Sequence, residues 1–213
     1  MKNFFKLMAG MIALVTTGMG VTQISSTFAA DAVDPHAAHH HMMMSAMSEG
    51  TKTSTAEYGL PPIKLVRDDG KAVLLPDELN DGRAVVINFI YTSCTQICPV
   101  TSRTFMQLQE KLGNERSKVH LVSISIDPEQ DTPAVLRGYA KRFEAGSGWR
   151  YYTGTAEASI ATQRAFDVYR GDKMNHAPVT LLRAAPGKPW TRIEGFASAD
   201  DLLGKYREIT GSK

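Results

Sequence analysis

Hydrophobic and polar positions divide this chain into three regimes. Near the start lies one apolar run, Leu7-Met8-Ala9-Gly10-Met11-Ile12-Ala13-Leu14-Val15, which loosens into Thr, Gly and Ser. Residues 31 to 57 then show no periodic apolar face, and from Tyr58 onward short apolar runs alternate with amphipathic ones. Ile63 to Val66 and Lys71 to Leu75 flank the turn signal Asp69-Gly70 and predict an N-terminal hairpin. Ala84 to Tyr91 and Val119 to Ile126 are near-continuous apolar runs, the pattern of strands buried on both faces of a sheet. Between them, Pro99 opens a predicted helix to about Leu112, with Phe105, Leu108 and Leu112 on one face and Gly113 as its stop. Thr132-Pro133 starts another helix through about Phe143, followed by a strand at Tyr151 to Thr153 and a helix from Ala156 to Tyr169. Pro178 to Leu182 and Thr191 to Glu194 read as strands, and Ser198-Ala199-Asp200 caps a last helix to about Ile209. This alternation, with right-handed crossovers, predicts an α/β domain whose central mixed sheet is flanked by helices.

Composition changes the picture in two places. With 213 residues, 43% hydrophobic and 22% charged, the chain has the make-up of one globular domain plus extensions. Its formal charge of +2 is matched by Lys2 and Lys6 alone, so the rest is near neutral and a nucleic-acid partner is disfavoured. There are only two cysteines, so a core and not covalent staples must hold the fold. Both cysteines lie within five residues of one another, and four of the six histidines cluster between positions 36 and 41.

Residues 1 to 30 have the three parts of a secretory signal: a basic start, a short apolar centre and a small-residue exit at Thr27-Phe28-Ala29-Ala30-Asp31-Ala32. Cleavage after Ala29 or after Ala32 satisfies the pattern. The competing reading is an uncleaved membrane anchor from Leu7 to Ile24, which Thr16, Thr17, Gly18, Gly20, Thr22 and Gln23 dilute. Either reading delivers the domain outside the cytoplasm, to a bacterial periplasm, as a soluble or N-terminally anchored protein. The following stretch, 31 to 57, is expected to be flexible because it cannot bury enough surface to offset its ordering entropy. It carries His36, His39, His40 and His41 beside Met42, Met43, Met44 and Met47. Imidazole suits Cu(II), Zn(II) and Ni(II), whereas clustered thioethers favour Cu(I), so the mixture is a candidate secondary metal-collecting segment.

The sharpest chemical feature is Tyr91-Thr92-Ser93-Cys94-Thr95-Gln96-Ile97-Cys98-Pro99, where the first central strand hands over to a helix. Cys98 is expected at the helix N-terminus, where unpaired N–H groups and the helix dipole favour a thiolate. The pair could equally close a disulfide, but a loop this short restrains little unfolded-state entropy, so stability alone is a poor reason for it. Two thiolates rarely complete a metal site. His120, inside an apolar strand, reads as a core histidine; His176, in Met174-Asn175-His176-Ala177-Pro178, reads as an exposed loop residue ahead of a strand. Two thiolates and an imidazole form a trigonal set that suits Cu(I), or Cu(II) with one more ligand, whereas zinc usually takes four.

The Tyr91 to Pro99 segment, the later Ser125-Ile126-Asp127-Pro128-Glu129-Gln130-Asp131-Thr132-Pro133 segment and His176 before a strand together resemble the Sco/SenC family of thioredoxin-like copper proteins. The resemblance covers about residues 58 to 210. It implies a thioredoxin-like fold and a copper metallochaperone more than an enzyme, one that serves a client copper protein such as a cytochrome c oxidase subunit. It maps the copper ligands to Cys94, Cys98 and His176; the loops expected to hold Cys94 and His176 are read as exposed, so that a client ligand can replace one protein ligand at a time. The family commonly has Pro and an acidic residue after the first cysteine and Asp before the histidine, where this chain has Thr95, Gln96 and Asn175. These departures lower the local negative charge and leave the three ligands in place. The alternative is a thiol-disulfide oxidoreductase acting on client cysteines through Cys94 and Cys98, although redox thioredoxins use two intervening residues and not three. A peroxidase of the same fold would need a Pro-x-x-x-Thr-x-x-Cys pattern, which neither cysteine satisfies.

Overall fold

The computed structural model describes residues 50–212, so the expected signal and most of the His/Met segment lie outside the described residues. In chain order the strands are β1 Lys52–Ala56, β2 Lys64–Arg67, β3 Ala72–Leu74, β4 Ala84–Ile90, β5 Val119–Ser125, β6 Trp149–Thr153, β7 Val179–Arg183 and β8 Trp190–Glu194. The α-helices are α1 Leu75–Leu79, α2 Ile97–Leu112, α3 Pro133–Arg142, α4 Ala156–Ala165 and α5 Ala199–Thr210. All eight strands join one mixed sheet in the order β1-β8-β7-β4-β5-β6-β2-β3. β4, β5 and β6 are parallel neighbours, and the remaining pairings are antiparallel.

β4 and β5 are buried at every position, which is why their sequences run apolar without alternation. Register sorts the side chains into two faces: Asn88 pairs with Ser123, and Ser123 with Tyr151. On that face Phe105 of α2 packs on Trp149 with ring centroids 5.7 Å apart, and Tyr139 of α3 packs on Tyr151 at 6.1 Å. Phe89 faces the other way and meets Phe166, just past α4, at 5.8 Å. Helices therefore cover both faces, as the sequence pattern requires.

β6 begins at Trp149, two residues before the expected Tyr151, and four further elements differ from the sequence expectation, each for a local reason. β1 lies inside the stretch read as flexible; its polar Lys-Thr-Ser-Thr-Ala run has no buried face, and as the edge strand of the sheet it is held by backbone pairing along β8. α1 is short and begins on Leu75 with Pro76 in its first turn, its apolar Leu75 and Leu79 turned into the core. α2 starts at Ile97, two residues ahead of Pro99, for a reason that belongs to the cysteine pair. α4 ends at Ala165, not Tyr169, because buried Phe166 plugs the core and the chain reverses at Asp167, whose φ is 52°. The hairpin β2–β3 and the capping box of Ser198 with Asp201 on α5 form as expected. Among the described residues no helix is long and apolar enough to cross a membrane.

His120 on β5 is the core histidine the strand pattern indicates, only 2% exposed. Its Nδ1–H donates to the Glu78 carbonyl at 3.2 Å, and its Nε2 lies 3.1 Å from the Tyr152 hydroxyl, so it ties α1 to the sheet. Burial, reinforced by the Arg83 charge, lowers its pKa from 6.5 to about 4. The unfolded chain therefore binds a proton that the folded chain refuses: stability is full above about pH 6.5 and falls as the pH drops towards 4, by up to about 3 kcal/mol for this group. Urea unfolding from pH 7 to pH 4 should show that fall. His120→Gln should flatten it only in part, because His176 is lowered to about 4 by its own burial and titrates in the same window.

Candidate metal centre

At the end of β4 the chain turns sharply, with the Cys94 N–H donating to the Tyr91 carbonyl at 3.1 Å. The first N–H groups of α2 would be orphaned, and Gln96 at the cap position supplies no side-chain bond. Instead Cys94 Sγ accepts the N–H of Cys98 at 3.3 Å, and Cys98 Sγ accepts the N–H of Tyr91 at 3.5 Å. A sulfur thus stands where Ser or Asp usually caps a helix, and this is why α2 begins before Pro99. Both thiols are free and buried.

The electrostatics reverse the sequence expectation. Cys94, not Cys98, is the acidic thiol: hydrogen bonding from the Cys98 thiol, then from the N–H groups of Cys98 and Gln96 and from the Tyr91 hydroxyl, outweighs burial and brings its pKa to about 5. Cys98 is pushed up, first by donating its proton to Cys94 and then by burial. It sits inside the first turn of α2, but its side chain points inward, where the helix dipole is outweighed by the neighbouring sulfur and by lost solvent. The pair at neutral pH is one thiolate and one thiol sharing a proton.

His176 follows a 3-10 turn, Lys173–Asn175, and precedes β7. It is not exposed as expected but 7% accessible, and Cys94 is likewise only 9% accessible. Its Nε2 lies 3.0 Å from the carbonyl oxygen of Phe89 on β4. A carbonyl only accepts, so Nε2 carries the proton and Nδ1 keeps the lone pair. Burial lowers its pKa to about 4, so the ring is neutral at physiological pH, the form a metal needs. Among the described residues no three His, Cys, Asp or Glu side chains are grouped closely enough to hold a metal ion. The structure therefore brings Cys94 and Cys98 together and keeps His176 apart, on the next segment over. His36, His39, His40, His41, Met42, Met43, Met44 and Met47 lie outside the described residues. No peptide bond among the described residues is cis, so the one before Pro178 is trans.

Sequence reasoning assigned no role to the residues that brace the site. Asp131 is wholly buried and accepts from the Thr92 N–H and hydroxyl, while its Oδ2 also takes the Ser125 hydroxyl at 2.6 Å. Burial nonetheless holds its pKa above the usual carboxylate range. Lys173 Nζ reaches Asp127 at 2.5 Å and tethers the histidine segment to the exit of β5. Tyr91 links to Met174 Sδ at 3.7 Å. The Asp127 to Thr132 run was the available signal, since two acidic residues four apart beyond a buried strand must bond to something.

The fold and the paired thiols define a thioredoxin-like domain with a soft, two-sulfur site. Residues 51–211 match SCO1/SenC, and the chain belongs to that family. It is 34% identical over 104 residues to the SCO1 protein homolog of Bacillus subtilis strain 168, a match covering 48% of this chain and 53% of that relative, so it spans about half of it. Among solved structures it is similar to Arabidopsis thaliana ScoI with copper bound, at 28% identity and a TM-score of 0.60 over 71% of this chain and 98% of that one. It also resembles BsSco, a member of the Sco family of cytochrome c oxidase assembly proteins in which a disulfide switch has been identified, at 26% identity and a TM-score of 0.61 over 75% and 98% of the two chains.

The ionisation pattern is directly measurable. Ultraviolet thiolate absorbance of the reduced, metal-free protein should rise with a midpoint near pH 5. Cys94→Ser should abolish that step, and Cys98→Ala, which removes the donating thiol, should move it upward. A low midpoint that survives in Cys94→Ser would assign the thiolate to the wrong sulfur.

Proposed function

We propose that this protein is an exported copper chaperone that holds copper through Cys94, Cys98 and His176 and passes it to a client copper protein, such as the copper centre of cytochrome c oxidase. The observation that carries this reading is the pre-assembled pair of sulfurs, one of them already ionised, with a buried neutral imidazole on the next segment over. Soft thiolates select Cu(I), and Cu(II) can join the same set with a further ligand. Nδ1 of His176 is the atom left to bind, because Nε2–H is committed to Phe89. Export from a signal at residues 1 to 30 places the domain in a periplasm, where the thiols can also be oxidised. The copper-bound Arabidopsis relative supports the choice of metal. Residues 31 to 49 add a looser, higher-capacity store of imidazole and thioether ligands.

Anaerobic titration of the reduced protein should give one tight copper per domain, with thiolate-to-copper charge transfer when Cu(II) is used. Cys94→Ser should lose the band and His176→Ala should weaken binding by roughly 10- to 100-fold. An unchanged affinity in His176→Ala would remove the histidine from the ligand set. Replacing His36, His39, His40, His41, Met42, Met43, Met44 and Met47 by Ser should lower the total copper bound and spare the tight site.

A second reading has its own observation. A thiolate at Cys94 beside a buried thiol at Cys98 is also the arrangement of an attacking and a resolving sulfur: Cys94 opens a client disulfide, and Cys98 displaces the client thiol and closes the protein's own disulfide. This reading requires metal-free reduced protein to reduce a client disulfide, one disulfide per protein consumed, without copper.

A further inference from the structure

Met174 and Val135 are the large apolar side chains left exposed among the described residues, Met174 at 40%. Packing does not explain Met174, but its sulfur has a partner. Sδ accepts from the Tyr91 hydroxyl at 3.7 Å, and the backbone of the same Tyr91 accepts the Cys94 N–H at 3.1 Å and donates its own N–H to Cys98 Sγ at 3.5 Å. One residue therefore touches an open thioether with its side chain and the two-cysteine loop with its backbone.

The backbone beneath Met174 is fixed, and its side chain is held by one weak bond to sulfur. Asp172 accepts the Met174 N–H at 2.9 Å, capping the 3-10 turn, and Lys173 is tied to Asp127 at 2.5 Å with its ammonium 5.7 Å from the centroid of the Tyr91 ring. Methionine, with three rotatable bonds and a polarisable sulfur, can swing from this platform. It is a neutral, soft and weak donor, so it favours Cu(I) and yields it readily to a thiolate.

We infer that Met174 is the receiving ligand for Cu(I): its exposed thioether takes the ion at the surface and hands it inward, past Tyr91, to Cys94. The inference rests on the copper reading above and adds the route by which the buried sulfurs are loaded. Copper stays Cu(I) throughout. The Cu–Sδ bond breaks as the Cu–Sγ bond to Cys94 forms, the freed Sδ again accepts from the Tyr91 hydroxyl, and the Cys98 proton leaves to buffer when that sulfur joins. A residue with this task governs the rate of loading and leaves final retention to the stronger ligands.

Met174→Leu keeps the volume and removes the sulfur. Protein labelled with 13C at the methionine methyls, reduced and metal-free, should show the Met174 signal, assigned by its loss in Met174→Leu, shifting on addition of Cu(I) in acetonitrile. The shift should be larger and persistent in a Cys94→Ser/Cys98→Ser background, where no thiolate takes the ion onward. Stopped-flow loading of Met174→Leu should be roughly tenfold slower, the low end for losing a group that supports a metal site, with equilibrium affinity close to the parent's. A Met174 signal that stays still in both backgrounds, or loading of Met174→Leu at the parent's rate, overturns this inference and leaves the copper reading standing. A parent that takes up no Cu(I) at its cysteines overturns both.

Discussion

The site depends on one contact, the N–H of Cys98 donating to Cys94 Sγ at 3.3 Å. A helix that begins without a side-chain cap exposes several backbone donors and the positive end of its dipole, and something must satisfy them. Here a sulfur does so, and it does so best as an anion. Helix start and thiol ionisation are therefore one event. Because Phe105, Leu108 and Leu112 fix α2 against the sheet, the core sets where that sulfur stands, and changing the helix register would change the chemistry. The cap also explains the division of labour between the cysteines. Once Cys94 is the acceptor, Cys98, buried in the first turn, is left as the donor and keeps the proton.

Three segments meet at the carboxyl ends of the parallel strands β4 and β5, the end at which open α/β sheets commonly place ligands. The cysteine loop leaves β4, the Asp127 to Asp131 segment leaves β5, and the histidine segment leads into β7. Each pair is tied by a polar bond: Asp131 to Thr92, Lys173 to Asp127, and His176 to the Phe89 carbonyl. A buried carboxylate is costly unless fully hydrogen-bonded, and Asp131 accepts from a backbone N–H and two hydroxyls. It positions the loop that holds Cys94 from outside that loop.

Elements with a buried face were legible in the sequence; elements held by backbone pairing or by a single atom were not. β4, β5 and the Phe105 face of α2 announce themselves because burial writes a pattern. β1 has no apolar partner in its own sequence, since edge pairing asks only for free backbone groups, and α1 is shorter than any helical period can reveal. At the site, residue types and spacing identified Cys94, Cys98 and His176 as candidates. They did not reveal which thiol ionises, because that turns on which sulfur faces the helix end, nor that His176 is buried, because loops next to central strands can be covered by their neighbours. The Sco/SenC resemblance carried the fold and the family, and both hold.

The separation of His176 from the two sulfurs bears on how the proposed site would hold and release its cargo. Breaking the Nε2–H bond to Phe89 would orphan a buried donor, at a cost of about 1–3 kcal/mol, so the ring is better used where it stands, through Nδ1. Copper bound by the two thiols alone keeps an open coordination position, which an incoming client ligand can occupy. Copper that also gains the imidazole loses that opening. On the proposed reading the cysteines would bind the copper first and the histidine would tighten its retention. A chaperone needs the second to be reversible without unmaking the first, and a ligand that is neutral, anchored at its far nitrogen and supplied by a different segment meets that requirement better than a third thiolate would.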